Sequence, residues 1–343
     1  MTRLLERLED VYSIGGGPGA NRIGYSPEED AAHELAAGWL REAGFDVEVD
    51  AHGNLLGRLP GEDPELPEVW TGSHLDSVPQ GGRYDGSLGV VAGIEALERL
   101  GPRRRTLAVV AFREEERGCV GSRARCESGG LPGTFVELHH EQGPRLAQAD
   151  VPLGIVTSIV GYKRGIRELE GRAGHAGTTP MEGRADALVA AAEEILRIRD
   201  VATTIDGAVA TVGQLEVEPG GVNVIPGRVR LLVDARAPDA ERLTRLLEEL
   251  GLDDAGRTEP VPMSDTVRHA LRAAVECVGL PVVELASGAG HDAGILAAAG
   301  VDAGMLFVRA GNDGVSHHPD ETATGEDIAL AVDVLTDALD RLA

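Results

Sequence analysis

A few short islands hold the side chains of this sequence whose types and spacing suit catalysis. Gly72-Ser73-His74-Leu75-Asp76 runs on to Tyr84-Asp85-Gly86. Downstream come Glu114-Glu115-Glu116, Glu137-Leu138-His139-His140-Glu141-Gln142, Gly290-His291-Asp292 and Ser316-His317-His318. Carboxylates and imidazoles without clustered cysteines suit zinc, manganese, cobalt or nickel. A pair of such ions would lower the pKa of a water and polarise a carbonyl, which is the chemistry of amide cleavage.

Each island has a plainer reading beside the chemical one. His74 and Asp76 are two apart on an extended segment, so they face the same way, and the carboxylate can accept the second ring N–H of a ligating histidine. Alone, the pair reads equally as a surface loop. Asp85 follows Gly81-Gly82-Arg83-Tyr84, where glycines allow tight turns that could place a bridging carboxylate; the dipeptide Asp85-Gly86 alone is an ordinary turn. Three adjacent glutamates repel one another, so burying them requires positive charge nearby, and metal would supply it. Neighbouring side chains diverge, so one glutamate can ligate while the next faces a water. His139 and His140 should point in opposite directions, as should His317 and His318, and spacing alone does not choose within either pair. A second group comprises His175 in Gly174-His175-Ala176-Gly177-Thr178-Thr179-Pro180, Asn223 in Gly220-Gly221-Val222-Asn223, and Arg236 at the end of Leu231-Leu232-Val233-Asp234-Ala235. Arginine is the usual planar fork for a carboxylate. Singly these are a loop histidine, a turn asparagine and a surface arginine; their joint occurrence carries the functional reading.

The elements that must position these groups are legible in part. Ser26-Pro27-Glu28-Glu29 has the form of a capping box and predicts a helix to about Gly44 with Leu35, Trp39 and Leu40 on its buried face. Phe45 to Leu59 alternates like a strand pair turning at His52-Gly53-Asn54. Val69 to Ser73 and Thr106 to Phe112 are uncharged runs that predict buried strands, with a helix from Ser87 to Leu100 between them. Strands alternating with helices predict an α/β sheet, with the islands at strand C-termini. From Ser158 the character changes to strands near 162–170, 208–217 and 228–236, and helices near 184–199 and 239–250. This predicts a compact α+β unit over 158–263, inserted into a metal-binding catalytic domain formed by 1–157 and 264–343. The α/β style resumes with a helix from Ser264, strands at 282–285 and 305–308, and a closing helix carrying Ile328, Val332, Leu335, Leu339 and Leu342.

Bulk properties bound the partners. At 343 residues, two domains are expected. A net charge of −25 argues against nucleic acid or anionic lipid. Lys163 is the only lysine, and nearly all basic charge is arginine. No run of about 18 apolar residues predicts a membrane span. The N-terminus reads as an amphipathic helix start, not a signal peptide. Cys119, Cys126 and Cys277 form no disulfide framework, so a reducing, cytoplasmic setting is expected.

On these residues the chain resembles the hydantoinase/carbamoylase branch of the M20 metallopeptidase family, whose members include N-carbamoyl-L-amino-acid hydrolases, β-ureidopropionases and allantoate amidohydrolases. The likeness runs almost end to end. It is strongest in GSHLDSVPQGGRYDGSLGVVAGIEAL, ELHHEQGP, GHAGTTPMEGRADAL, TVGQLEVEPGGVNVIPG, SGAGHDA and GVSHHPDE. The resemblance implies an α/β catalytic domain with a mixed sheet flanked by helices, and an inserted ferredoxin-like α+β domain acting as lid and dimerisation element. It implies two divalent metals, zinc first, with manganese, cobalt or nickel as alternatives. His74, Asp85 and His139 would hold one; Asp85 as bridge, Glu116 and His317 the other. Glu115 would be the general base, passing its proton to the leaving nitrogen, with Asp76 beside it in the catalytic set. His175 would reach the oxyanion from the partner subunit of a homodimer. Gln142, Asn223, Arg236, Gly290 and His291 would bind a small substrate, with Arg236 on its carboxylate. The implied reaction is hydrolysis of a linear N-carbamoyl group on an amino acid or related acid. Allantoate hydrolysis, peptidase action or N-acyl-amino-acid deacylation are alternatives. An inactive metal-binding paralogue is argued against by the complete residue set.

Three departures stand out. The family usually reads Glu-Glu-Gly-Ser-Arg-Phe where this chain has Glu115-Glu116-Arg117-Gly118-Cys119. The family commonly has a stretch several times longer where this chain has only Arg125 to Val136, which implies a more open pocket and a different substrate. His140 stands at a position that is usually apolar.

Overall fold

The computed structural model describes residues 2–343 and divides into two compact units: the chain up to Thr157 together with Pro262–Ala343, and Ser158–Val261. The sequence reading put the second cut two residues later.

The first unit is built on one mixed sheet. Its strands run in the order Asp46–Val49, Leu55–Leu59, Leu107–Phe112, Val69–His74, Thr134–His140, Asp302–Val308, Leu153–Ile159. The four from Leu107–Phe112 to Asp302–Val308 are mutually parallel, and the flanking ones pair antiparallel. Parallel strands covered on both faces need apolar side chains on both. On one face Val69, Val109, Val136, Leu138 and Leu306 join the helices Ser87–Leu100, Asp265–Cys277 and Gly325–Leu342 in one apolar cluster. Period-two alternation puts Trp70, Phe112, Phe135 and Phe307, all buried, on the other, with Phe112 and Phe135 edge to face at 6.0 Å.

The chain leaves Val69–His74 toward one side, to Leu107–Phe112, then crosses back to Thr134–His140 on the other. Such a reversal opens a crevice at the carboxyl ends of the strands. His74, the Glu114–Glu116 run and His139 all stand at that edge.

Three local expectations change. Glu29 does not close a capping box onto the Ser26 amide. Its fully buried carboxylate instead accepts from the Tyr25 amide (2.5 Å), the Glu114 amide (3.0 Å) and Arg113 Nη2 (2.7 Å), as a buried charge must find several donors. The helix Pro27–Glu42 buries Ala32, Ala36, Ala37 and Leu40, leaving Leu35 and Trp39 half-buried. The strand expected at 282–285 lies at Glu284–Ser287, against Leu153–Ile159.

The second unit has a three-stranded antiparallel sheet, Gly161–Glu170, Arg228–Ala237, Val209–Glu218, in that order. The helices Ala187–Thr203 and Ala240–Leu250 close its core, with Ala191, Ile198, Leu243 and Leu247 against Val229, Leu231 and Val233. A fourth edge position is reduced to one bridge, Tyr162 with Thr258, which completes a ferredoxin-like order in shortened form. Among the described residues, no helix is long and apolar enough to cross a membrane.

Candidate metal centre

The strand Val69–His74 ends by delivering His74 into the crevice, fully buried. Its Nδ1 lies 3.1 Å from Asp76 Oδ1, which leaves Nε2 facing inward. Asp76 also accepts from the Glu115 amide (3.0 Å) and the Glu116 amide (3.2 Å), so one carboxylate orients the histidine and the glutamate turn together. Burial would raise the Asp76 pKa, but His74 and the two amides hold it below the ordinary value. Burial would lower the His74 pKa, but Glu115, Asp76 and Asp85 outweigh it and raise it well above the ordinary imidazole value.

Asp85 occupies the middle. Its Oδ1 is 3.3 Å from His139 Nε2 and 3.8 Å from His74 Nε2; its Oδ2 is 3.2 Å from His317 Nε2. Glu116 Oε2 is 3.4 Å from the same His317 nitrogen. Donor atoms of His74, Asp85 and His139 lie within 4.8 Å of one another, and so do those of Asp85, Glu116 and His317. The two clusters share only Asp85. Of the paired histidines, His139 faces Asp85, whereas His140 turns away to the Thr322 carbonyl (3.1 Å) and stacks on Tyr84. His318 faces Asp320.

Glu115 belongs to neither cluster. Its Oε2 is 3.8 Å from His74 Nε2, and Oε1 accepts from the Cys119 thiol at 3.5 Å. Glu114 turns away to Arg117 (2.8 Å). The divergence requires unusual backbone: Glu114, Cys119, Gln142 and His317 all have positive φ, between 48° and 56°. Strain of this kind collects at functional sites. Gly86 is needed for closeness, since a Cβ there would lie 2.4 Å from the His74 ring.

The residues fit divalent metal on two observations. His139 Nε2 and Glu116 Oε1 are buried polar atoms without a hydrogen-bond partner, a costly arrangement unless they ligate. His139 already gives Nδ1 to the His140 carbonyl (2.9 Å), the usual anchoring of a metal-ligating histidine. Secondly, the protein groups alone are over-supplied with acid. Burial pushes Glu116 up to about 7, and burial together with Asp292 pushes Glu115 well above the carboxylate range against the pull of His74. Divalent charge at the same point inverts that balance.

The remaining predicted residues fall as follows. Gln142 donates to Asp85 Oδ2 at 3.0 Å. His291 is buried, 2.9 Å from Ser287 Oγ, with its ring 4.4 Å from that of His139; Glu137, His139 and His291 form a third possible donor group. Glu137 is already engaged by Ser73 Oγ (2.7 Å) and the Ala293 amide (2.8 Å). Gly290 precedes the short helix Asp292–Ala298. Within the second unit, a two-stranded ribbon pairs Gly174–His175 with Val224–Ile225 and so sets His175 beside Asn223, whose carbonyl accepts from the Ala176 amide at 2.9 Å. Arg236 is held by Asp234 at 2.7 Å and lies over the Tyr162 ring.

One residue that sequence reading passed over is Glu321. Buried, it accepts from the Tyr84 and Asp85 amides (2.7 and 3.2 Å) with one oxygen and from Ser316 Oγ (2.7 Å) with the other. It packs on bare backbone, since a Cβ at Gly82 would sit 2.1 Å from its carboxyl carbon. Glu321 thus ties the Asp85 loop to the residue before His317. Glu321→Gln is expected to weaken metal retention about tenfold, the usual effect of losing an orienting partner; metal content after dialysis against graded chelator measures it, and wild-type retention counts against the role. It stood in the quoted stretch GVSHHPDE, where its acidity was the only signal.

The sequence pattern of the peptidase family M20/M25/M40 matches residues 70–341. An N-carbamoyl-L-amino acid amidohydrolase of Geobacillus stearothermophilus is 38% identical over 403 aligned positions, covering 99% of this chain and 98% of that protein. An allantoate amidohydrolase of Bacillus subtilis is 32% identical, covering 97% of this chain and 95% of its own. The crystal structure of an amidase of the hydantoinase/carbamoylase family from Burkholderia multivorans superposes with a TM-score of 0.93 at 31% identity, over 99% of this chain and 97% of that one. Fold and donor clusters together define an α/β protein equipped to bind divalent metal. The chain belongs to the M20/M25/M40 peptidase family, in its hydantoinase/carbamoylase branch. The 403-position alignment exceeds the 343 residues present, so this chain lacks residues that the Geobacillus protein has. Here one helix, Val120–Ser128, and the irregular segment 129–133 connect the glutamate run to Thr134–His140.

Proposed function

We propose that this protein is a two-metal amidohydrolase that cleaves the C–N bond of a linear N-carbamoyl group on an amino acid or related acid, releasing the free amine, carbon dioxide and ammonia. The observation that carries the hydrolytic reading is the pair of donor clusters sharing Asp85, with Glu115 3.8 Å from His74 and part of neither. The substrate class is supported by the relatives, which span nearly the whole chain.

His74 and His139 on one side, and Glu116 and His317 on the other, would hold the metals about Asp85, with zinc favoured by the mixed imidazole and carboxylate donors. Such a pair supplies Lewis acidity, which makes water a nucleophile near neutral pH and polarises the scissile carbonyl. Glu115 is the general base. Its carboxylate stands 3.8 Å from His74 without joining either cluster, which suits it to take a proton from the attacking water and return it to the leaving nitrogen. Asp76 holds His74 in one tautomer and fixes the amides of Glu115 and Glu116. Gln142, Gly290 and His291 in the first unit, and His175, Asn223 and Arg236 in the second, are assigned to the substrate, with His175 on the developing oxyanion and Arg236 on the carboxylate.

A homodimer formed through the second unit is supported by its own surface. The outer strand Val209–Glu218 has an unpaired edge, and Leu188, Val189 and Leu196 are exposed on the helix Ala187–Thr203, which packs against that strand. A reducing cytoplasm remains the setting in which three free cysteines fit.

Ammonia release by zinc- or manganese-loaded enzyme tests the proposal. Ammonia from N-carbamoyl amino acids supports it; ammonia from allantoate alone moves the assignment to that substrate. Amine without ammonia indicates deacylation, and no turnover after metal loading rejects the enzyme reading. Arg236→Ala is expected to raise KM for a carboxylate substrate about 10- to 100-fold with a smaller change in kcat, as befits a lost charge-assisted contact. An unchanged KM removes the clamp.

A further inference from the structure

Arg22 lies fully buried under the metal loop. Its Nε donates to the Leu75 carbonyl, between His74 and Asp76, at 2.7 Å, and its Nη1 to the Val11 carbonyl at 3.1 Å. Nη2 is buried without a hydrogen-bond partner. Among the described residues no carboxylate touches it. Carbonyls satisfy Nε and Nη1, but a neutral amide could do the same, and a buried guanidinium is costly unless its charge is opposed. The opposition comes through space, from Asp76, Asp85 and Glu116. Burial lowers its pKa to about 10, still well above neutrality, so the group stays charged.

The backbone around Arg22 is fastened to the same loop. Arg22 exchanges hydrogen bonds with Ser77, its amide to Ser77 Oγ and the Ser77 amide to its carbonyl, both 2.9 Å. Ala20 and Gly81 exchange both of theirs (2.9 and 2.8 Å), and Asn21 Oδ1 accepts from the Gln80 amide at 2.9 Å. Residues 20–22 therefore run as a splint along 77–81, and the splint carries one buried cation whose charge is felt by Asp76, Asp85 and Glu116.

We propose that Arg22 is a built-in counter-charge that keeps the loop 75–86 in its metal-binding shape before any metal arrives. The proposal rests on the metal reading above and deepens it. A charge of the same sign as the metals steadies the crowded carboxylates of the metal-free protein and, by the same repulsion, weakens metal binding. Linkage makes the two effects one quantity: whatever stabilises the free state relative to the loaded state narrows the melting gap between them.

The experiment compares wild type, Arg22→Lys and Arg22→Met, each stripped by chelator and each loaded with zinc. Both variants lose the forked contact to the carbonyls, and only Met loses the charge. Arg22→Met is expected to melt much lower when metal-free and to recover disproportionately on loading, so that its melting gap widens and zinc binds about threefold or more tighter than in Arg22→Lys. Equal gaps in the two variants overturn the proposal. A second measurement needs no variant. Amide hydrogen exchange of stripped wild-type protein is expected to show residues 75–81 nearly as protected as in the loaded form; exchange at unstructured rates overturns the proposal even where Arg22→Met fails to accumulate. Wild type that gains no stability from zinc rejects the metal reading instead, and the exchange result then decides Arg22 alone.

Discussion

Asp85→Asn is expected to reduce bound metal to less than about a tenth of wild type at both positions, and to lower turnover by about a thousandfold or more. The argument is geometric. Oδ1 faces His74 and His139, and Oδ2 faces His317 alongside Glu116. No other residue is common to the two clusters. Asparagine keeps the shape but replaces one anionic oxygen with a donor, which must turn toward one cluster and cannot ligate there. Burial would raise the Asp85 pKa, yet the His317 hydrogen bond and the fields of His139 and His74 hold it below the usual carboxylate range, so the native group is an anion throughout the working range. Metal analysis of the purified variant is the measurement. If one metal stays at full occupancy while the other is lost, Asp85 is an ordinary ligand and the shared bridge is wrong.

Glu115→Gln should have the opposite signature. Metal content stays at the wild-type level, because Glu115 is a member of neither cluster. Turnover falls by about 10²- to 10⁴-fold, the usual contribution of a placed general base. KM moves little, since the amide still fills the space between His74 and Cys119. Single-turnover rates on metal-loaded protein would separate chemistry from binding. A variant that turns over at near wild-type rate would take Glu115 out of the proton path, while loss of metal would make it a ligand.

What the sequence disclosed, and what it hid, follows from range. Both faces of Val69–His74 and Leu107–Phe112 are covered, so Leu107–Phe112 shows as a bare apolar run and Val69–Ser73 as an uncharged one. Ser87–Leu100 ends where Gly101 adopts positive φ, a stop readable from one residue. The histidines and acids were visible as islands because ligands must be those residue types. Their supports were not. Glu29 serves Glu114 from 85 positions away, Arg22 serves Ser77 from 55, and Glu321 serves Tyr84 from 237. No local pattern marks such partners. The helix Val120–Ser128 escaped notice for another reason: it buries only Gly121 and Ser122, so no apolar stripe exists to detect. Its link to the site is a hydroxyl, Ser122 Oγ on Asp292 at 2.6 Å. Glu29 shows how a local rule yields to tertiary demand, since the carboxylate expected to cap its own helix is recruited to hold the glutamate turn.

The way the chain crosses between its units has an evolutionary consequence. On the catalytic side, the Met263 amide donates to the Thr157 carbonyl at 2.9 Å; within the inserted unit, Tyr162 and Thr258 exchange two hydrogen bonds of 3.0 and 2.9 Å. Each side of the cut is sutured to itself. A segment whose entry and exit are already joined behaves as a cassette: it can be lengthened, exchanged or removed as a block while the host sheet keeps its register. Grafting residues 158–261 of this chain into a relative, or the relative's segment into this one, is therefore expected to leave the fold that houses Asp85 closed and its donor clusters intact.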